Sequence, residues 1–177
     1  MADQTMDGLR ACIASLEMVV APAVTASGDK LAQEQVKLIG KYLSFLVDRL
    51  DYTDPVARAE LSTYLEIGRT VQASLAREGR GDPKLDESLA DGKAVLERAN
   101  ASQADVEHPL RAVKADLSRI VRAMGETSDP MRKEVEKIVR DGSFKVVRLQ
   151  RVWMEPQGWE QPGITFDIDE ELKAFSS

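Results

Sequence analysis

The sequence predicts an all-α protein: an up-and-down bundle of five or six helices with a C-terminal irregular or β-hairpin extension. Three observations predict it. Apolar residues recur every three or four positions from Met6 to Val139. A hydroxyl or small residue followed by Asp and Pro occurs three times, in "YTDPVA" at 52–57, "GDPKL" at 81–85 and "TSDPMR" at 127–132. Stretches rich in glycine, such as "TASGD" and "EGRGDP", separate the periodic runs.

Each Asp-Pro marks a helix start. Proline fits the first turn, where its missing N–H has no partner. The preceding Asp accepts orphan N–H groups and favours the positive end of the helix dipole. Starts are therefore expected near Asp54, Asp82 and Asp129, with Thr53 or Ser128 as alternative caps.

The elements follow in order. Met6, Leu9, Ile13, Leu16 and Val20 predict a first helix at 3–20, ended by Pro22. A second runs over 29–50, where Leu38, Ile39, Tyr42, Leu43, Phe45, Leu46 and Leu50 make a face wide enough for more than one neighbour. A third covers 54–78 through Leu61, Leu65, Gly68, Val71 and Leu75. A fourth, at 83–101, contains Gly92, which permits a close helix crossing. "NASQADVEHP" reads as a loop before a fifth helix at 108–125, through Leu110, Val113, Leu117, Ile120 and Met124. A sixth helix at 129–141 is expected to stop at Gly142.

These helices make a bundle domain at 1–142, with 143–177 as an extension packed on it or on a partner. In the extension, "SFKVVRLQRVW" and "GITFDI" could pair as a hairpin, while Val146, Leu149 and Trp153 also fit one face of a helix over 144–153. "DIDEELKAF" predicts a terminal helix capped by Asp167 or Asp169.

Composition narrows the chemistry. The 177 residues hold one cysteine, Cys12, and one histidine, His108. That excludes an internal disulfide and the Cys- and His-rich zinc sites. It also excludes the paired Glu-x-x-His motifs of di-iron bundles. Cys12 is expected to pack as a small core hydrophobe and His108 to sit at a helix start. The acids at Asp167, Asp169, Glu170 and Glu171 lack the spacing of a calcium loop. No catalytic residue, metal or cofactor is assigned. With no long uncharged apolar run and no basic N-terminal segment, neither a membrane span nor a signal peptide is expected, and a bacterial cytoplasm is the expected location.

The net charge of −6 is segregated: −6 over 1–110, +5 over 111–151 and −5 over 152–177. The basic stretch contains Arg140, Lys145, Arg148 and Arg151, and two tryptophans, Trp153 and Trp159, flank the turn after it. These six are the candidate partner-binding residues, since Trp and Arg dominate interface anchors. The cations could equally pair within the fold, meet an acidic protein partner, or bind phosphates. A second copy of the chain is a further possible partner.

The first two helices, "LRACIASLEMVVAPAV" and "AQEQVKLIGKYLSFLVDRLD", resemble small uncharacterised bacterial helical proteins encoded beside acyl-CoA dehydrogenases and aminoglycoside-phosphotransferase-like proteins. The resemblance covers residues 9–51 and implies an accessory role beside a catabolic enzyme. The expected function is thus a non-catalytic accessory or adaptor subunit of a cytosolic complex. The alternatives are a small-molecule-binding or carboxylate-based enzyme bundle and a nucleic-acid-binding regulator acting through 132–151.

Overall fold

The computed structural model describes residues 2–126, 129–158 and 166–175. They are all-α, with no strand among the described residues. The helices are α1 (Ala2–Ser15), α2 (Ala21–Ser27), α3 (Lys30–Arg49), α4 (Thr53–Arg77), α5 (Pro83–Leu96), α6 (Gln103–Glu126), α7 (Arg132–Met154) and α8 (Ile168–Lys173). The chain forms two compact units. Residues 1–52 and 153–164 make the first, and 53–152 with 165–177 the second.

In the first unit the helical rod does not stop at residue 20. A π turn, Leu16–Val20, joins α1 to α2, and Ala21 N–H bonds Leu16 O five residues back. Pro22 explains the turn. Its ring crowds the carbonyl four residues earlier and it has no N–H to give. The wider π turn just before it takes up that mismatch, so the helix continues to Ser27. Gly28, at φ 72°, then ends it in the left-handed conformation that glycine adopts without strain. Asp29 caps α3 by accepting from Ala32 N–H at 3.1 Å.

Gln4–Ser27 has the length of a membrane span, and its most apolar 18-residue window has a mean hydropathy of 1.5. The expectation from the sequence rested on uninterrupted apolar runs, and this stretch is interrupted by Glu17 near its middle. A carboxylate at that depth is expensive in hydrocarbon. Cys12, expected in the core, is exposed on α1. The rod packs against α3, which takes its Met6–Leu9–Ile13 side and leaves Cys12 outside.

The second unit holds the main core. Consecutive helices α4, α5 and α6 run up and down, joined by short turns, and Leu61, Leu65, Val71, Leu85, Val106 and Val113 are fully buried between them. Glycine sets the α4–α5 distance. A Cβ on Gly92 would lie 2.7 Å from Leu65 Cδ2, and one on Gly68 would lie 2.6 Å from Leu89 Cδ2. Each leucine thus fills the space the other helix's glycine leaves, as the sequence predicts for Gly92.

Three boundaries differ from expectation. Helix α5 stops at Leu96, and the following turn is held where Arg58 Nη2 donates to Ala101 O at 2.9 Å. Helix α6 starts at Gln103, within the expected loop. Ser102 N–H donates to Asp105 Oδ2 at 2.8 Å and Asp105 N–H to Ser102 Oγ at 3.3 Å, a reciprocal cap of the S-x-x-D kind. Pro109 and His108 therefore lie inside α6, His108 exposed and Pro109 buried. Helix α7 runs straight through Gly142 to Met154. Gly142 serves packing: a Cβ there would lie 2.3 Å from Ile67 Cγ1 on α4.

The stretch 144–153 is helical, which removes the strand half of the proposed hairpin. Its other half falls partly outside the described residues; Phe166 and Asp167 precede α8, and Ile168 begins it. Asp167 caps α8, accepting from Asp169 N–H at 2.8 Å and Glu170 N–H at 3.3 Å.

Candidate docking surface

Helix α7 is amphipathic in an unusual way. One face buries Val135, Val146, Leu149 and Val152. The opposite face carries Lys133, Lys137, Arg140, Phe144, Val147 and Arg151, with spacings of four, three, four, three and four. All six are exposed. Phe144 and Val147 leave 64% and 50% of their surface in solvent. Two large apolar side chains one helical turn apart, with Arg140 before them and Arg151 after, form a short apolar strip between cations.

The candidate residues named from sequence divide around this strip. Arg140 pairs with its neighbour Asp141 at 3.2 Å, an exposed contact of little energetic weight. Lys145 reaches Glu66 on α4 at 3.4 Å, also in solvent. Arg148 Nε meets Glu171 Oε2 at 2.7 Å, and the Glu171 side chain is buried. The Arg151 guanidinium lies 5.4 Å from the centre of the Phe166 ring. Lys145 and Arg148 are thus engaged with α4 and α8, while Arg140 and Arg151 belong to the outward row.

Trp153 belongs to the first unit. Its ring meets Phe45 edge-on with centroids 6.0 Å apart, and its carbonyl accepts from Arg49 Nε at 2.9 Å. It packs on α3. Trp159 lies outside the described residues.

Sequence reasoning missed Phe144 and Val147. The run "SFKVV" is rich in β-branched and aromatic residues, which leaves strand and helix both open and the outward face undefined. The signal that finds them is the 4-3-4-3-4 spacing continued from Lys133.

The remaining charges of the second unit hold its helices in register. Asp82 caps α5 through Leu85 N–H at 2.9 Å and takes both terminal nitrogens of Arg119 at 2.9 Å. Arg119 holds the Asp82 carboxyl below the usual carboxylate range. Arg119 also reaches Asp116 Oδ1 at 3.2 Å, and Ser88 Oγ donates to Asp116 Oδ2 at 2.7 Å. Asp116 is buried with both oxygens engaged, so it ties α5 to α6. Arg80 meets Asp129 at 2.5 Å and likewise depresses its carboxyl. Asp54, the third Asp-Pro acid, bonds Arg58 Nε at 2.7 Å through one oxygen; its other oxygen is buried without a hydrogen bond.

Each Asp-Pro acid therefore faces an arginine: Arg58, Arg119 or Arg80. Among the described residues no three His, Cys, Asp or Glu side chains converge as metal ligands. What this unit presents outward is an apolar strip with cationic ends. No family model matches the chain, and neither a curated protein nor a solved structure does.

Proposed function

We propose that the protein is a non-catalytic accessory or adaptor subunit of a cytosolic complex, and that the outward row of α7 docks an acidic, amphipathic segment of a protein partner. The observation that carries this reading is the exposure of Phe144 and Val147 between Arg140 and Arg151. Apolar pairs one turn apart suit the helix-in-groove or helix-on-helix mode, in which a partner lays its own apolar row alongside. The flanking arginines select for acids at the ends of that row and raise the rate of encounter. The resemblance of residues 9–51 to proteins encoded beside acyl-CoA dehydrogenases supports a partner that is a catabolic enzyme.

The test is affinity purification of the tagged chain from its source cells, beside the Phe144→Glu/Val147→Glu variant. Both positions are exposed, so the variant should keep the wild-type melting curve. A stoichiometric protein that stays with the wild type and is lost from the variant is the expected result. Isolation of the wild type with no other protein, or equal recovery by the variant, refutes the reading. Salt-sensitive binding to duplex DNA that Arg140→Glu/Arg151→Glu abolishes and Phe144→Glu does not would replace the protein partner with nucleic acid.

A further inference from the structure

Helix α3 carries two apolar rows. Val36, Gly40, Leu43 and Val47 form one; Gly40 touches Leu16 of the π turn, and α3 packs along α1 and α2. The second is Leu31, Gln35, Leu38, Tyr42, Phe45 and Arg49, with spacings of four, three, four, three and four. These steps of four and three keep all six on one face of the helix, a continuous seam along its length. Its C-terminal third is covered by the chain itself. Trp153 packs edge-on to Phe45 and accepts from Arg49, which leaves Phe45 only 7% exposed. The rest is open: Leu31 is 71% exposed, Leu38 and Tyr42 each 58%, and Ile39 beside them 49%.

We infer that the open part of this seam is covered by the same segment of a second copy of this chain, running antiparallel. The flanking charges choose that occupant. Glu34 and Lys41 precede Gln35 and Tyr42 and lie along one edge of the seam. Among the described residues Lys41 has no carboxylate partner, and Glu34 holds only the exposed Lys37 at 3.2 Å. An antiparallel pair that sets Leu31 opposite Tyr42 and Gln35 opposite Leu38 also sets Glu34 of each copy beside Lys41 of the other, twice by symmetry. On the other edge it sets Ile39 against Ala32. A parallel pair would instead put Glu34 beside Ile39 and leave both charges unpaired.

Extent agrees with this. The overlap runs from residue 31 to residue 42, which is the stretch the chain leaves uncovered. At their observed exposures the four apolar side chains of both copies would remove on the order of 900 Å² from water. With the polar edges, complete coverage reaches the roughly 1,000 Å² of a small specific interface, the size class of weak, concentration-dependent association. A lipid surface fits less well, because the first 52 residues hold five basic and seven acidic side chains and so repel anionic headgroups.

The experiment is sedimentation equilibrium of the full chain from about 1 to about 300 μM. The mass should rise with concentration from 19.6 kDa toward twice that value. Leu38→Asp/Tyr42→Asp, at exposed positions, should keep the circular dichroism and melting curve and stay monomeric throughout. Glu34→Lys and Lys41→Glu should each weaken association by about tenfold. The exchanged pair Glu34→Lys/Lys41→Glu should restore it, which only an antiparallel self-pairing does. A wild-type monomer across the range, an undiminished dimer of Leu38→Asp/Tyr42→Asp, or no restoration by the exchanged pair overturns the inference. Flotation of a monomeric wild type with phosphatidylcholine–phosphatidylglycerol vesicles, lost in Leu38→Asp/Tyr42→Asp, would overturn it in favour of lipid. None of these outcomes touches the α7 reading, whose residues are separate.

Discussion

Gly142→Ala separates two opposing physical effects by their sign. In an exposed helix interior, replacing glycine with alanine stabilises by about 1 kcal/mol, because alanine loses less backbone entropy on folding. At position 142 the new Cβ would lie 2.3 Å from Ile67 Cγ1 and 2.8 Å from Ile67 Cδ1. The nearer atom is on the inner part of a β-branched side chain, so it cannot swing aside as a leucine methyl can. Overpacking of this kind costs about 1–3 kcal/mol. The net is a loss of about 1 kcal/mol, and thermal unfolding should show a midpoint lower by about 2–4 °C. In an Ile67→Ala background the clashing atoms are gone and the nearest Ile67 atom left is Cβ at 3.6 Å, an ordinary contact. There Gly142→Ala should stabilise by about 1 kcal/mol, giving an interaction energy of about 2 kcal/mol in the double-mutant cycle. Stabilisation in the wild-type background, or the same loss in both, refutes the close α4–α7 approach.

Two further predictions concern helix starts and the ion pairs that join them. Ser102→Ala removes the hydroxyl that accepts from Asp105 N–H, and should lower stability by about 0.5–2 kcal/mol, read from urea unfolding. Arg80 and Arg119 hold Asp129 and Asp82 below the ordinary carboxylate range. A carboxyl held low when folded binds its proton more weakly than in the unfolded chain. Its contribution is complete above the unfolded value near pH 4 and is lost as pH falls through the folded value. Arg80→Gln should therefore lower the urea midpoint at about pH 6, and this deficit should shrink as pH falls through the folded value of Asp129.

Local chemistry was legible where one residue's own geometry settles the outcome. Asp82 caps α5 because an acid before proline has few other uses, and Gly92 meets Leu65 because a bare Cα invites a close helix. Gly142 obeys the same rule, yet from sequence it reads as a helix stop. Only the position of Ile67, 75 residues earlier, shows which of glycine's two roles applies. Pro22 likewise reads as a terminator, yet the π turn at Leu16–Val20 carries the helix past it. The loop expected before Pro109 is helix instead: Ser102 caps its start, and Val106, Pro109 and Leu110 are buried in the core, so tertiary packing helps offset the proline.

The candidate surfaces were half legible. The cations of 140–151 were visible, but which of them face outward was not, since that depends on whether α4 and α8 supply carboxylates. Lys145 and Arg148 find Glu66 and Glu171; among the described residues Arg140 pairs with its neighbour Asp141 alone. The breadth of the α3 apolar face was likewise plain in the sequence, while its neighbours were not.

By itself the sequence determined that this chain is helical, where most helices begin, and that a single Cys and a single His shut out Cys- and His-rich zinc sites and the di-iron motif of paired histidines. Those are properties of spacing and residue type, which act over one or two turns. The tertiary structure decided which apolar residues stay in water: Phe144 and Val147 on α7, and Leu31, Leu38 and Tyr42 on α3. Helical periodicity places a side chain on a face, but whether that face is buried depends on which distant segment packs against it.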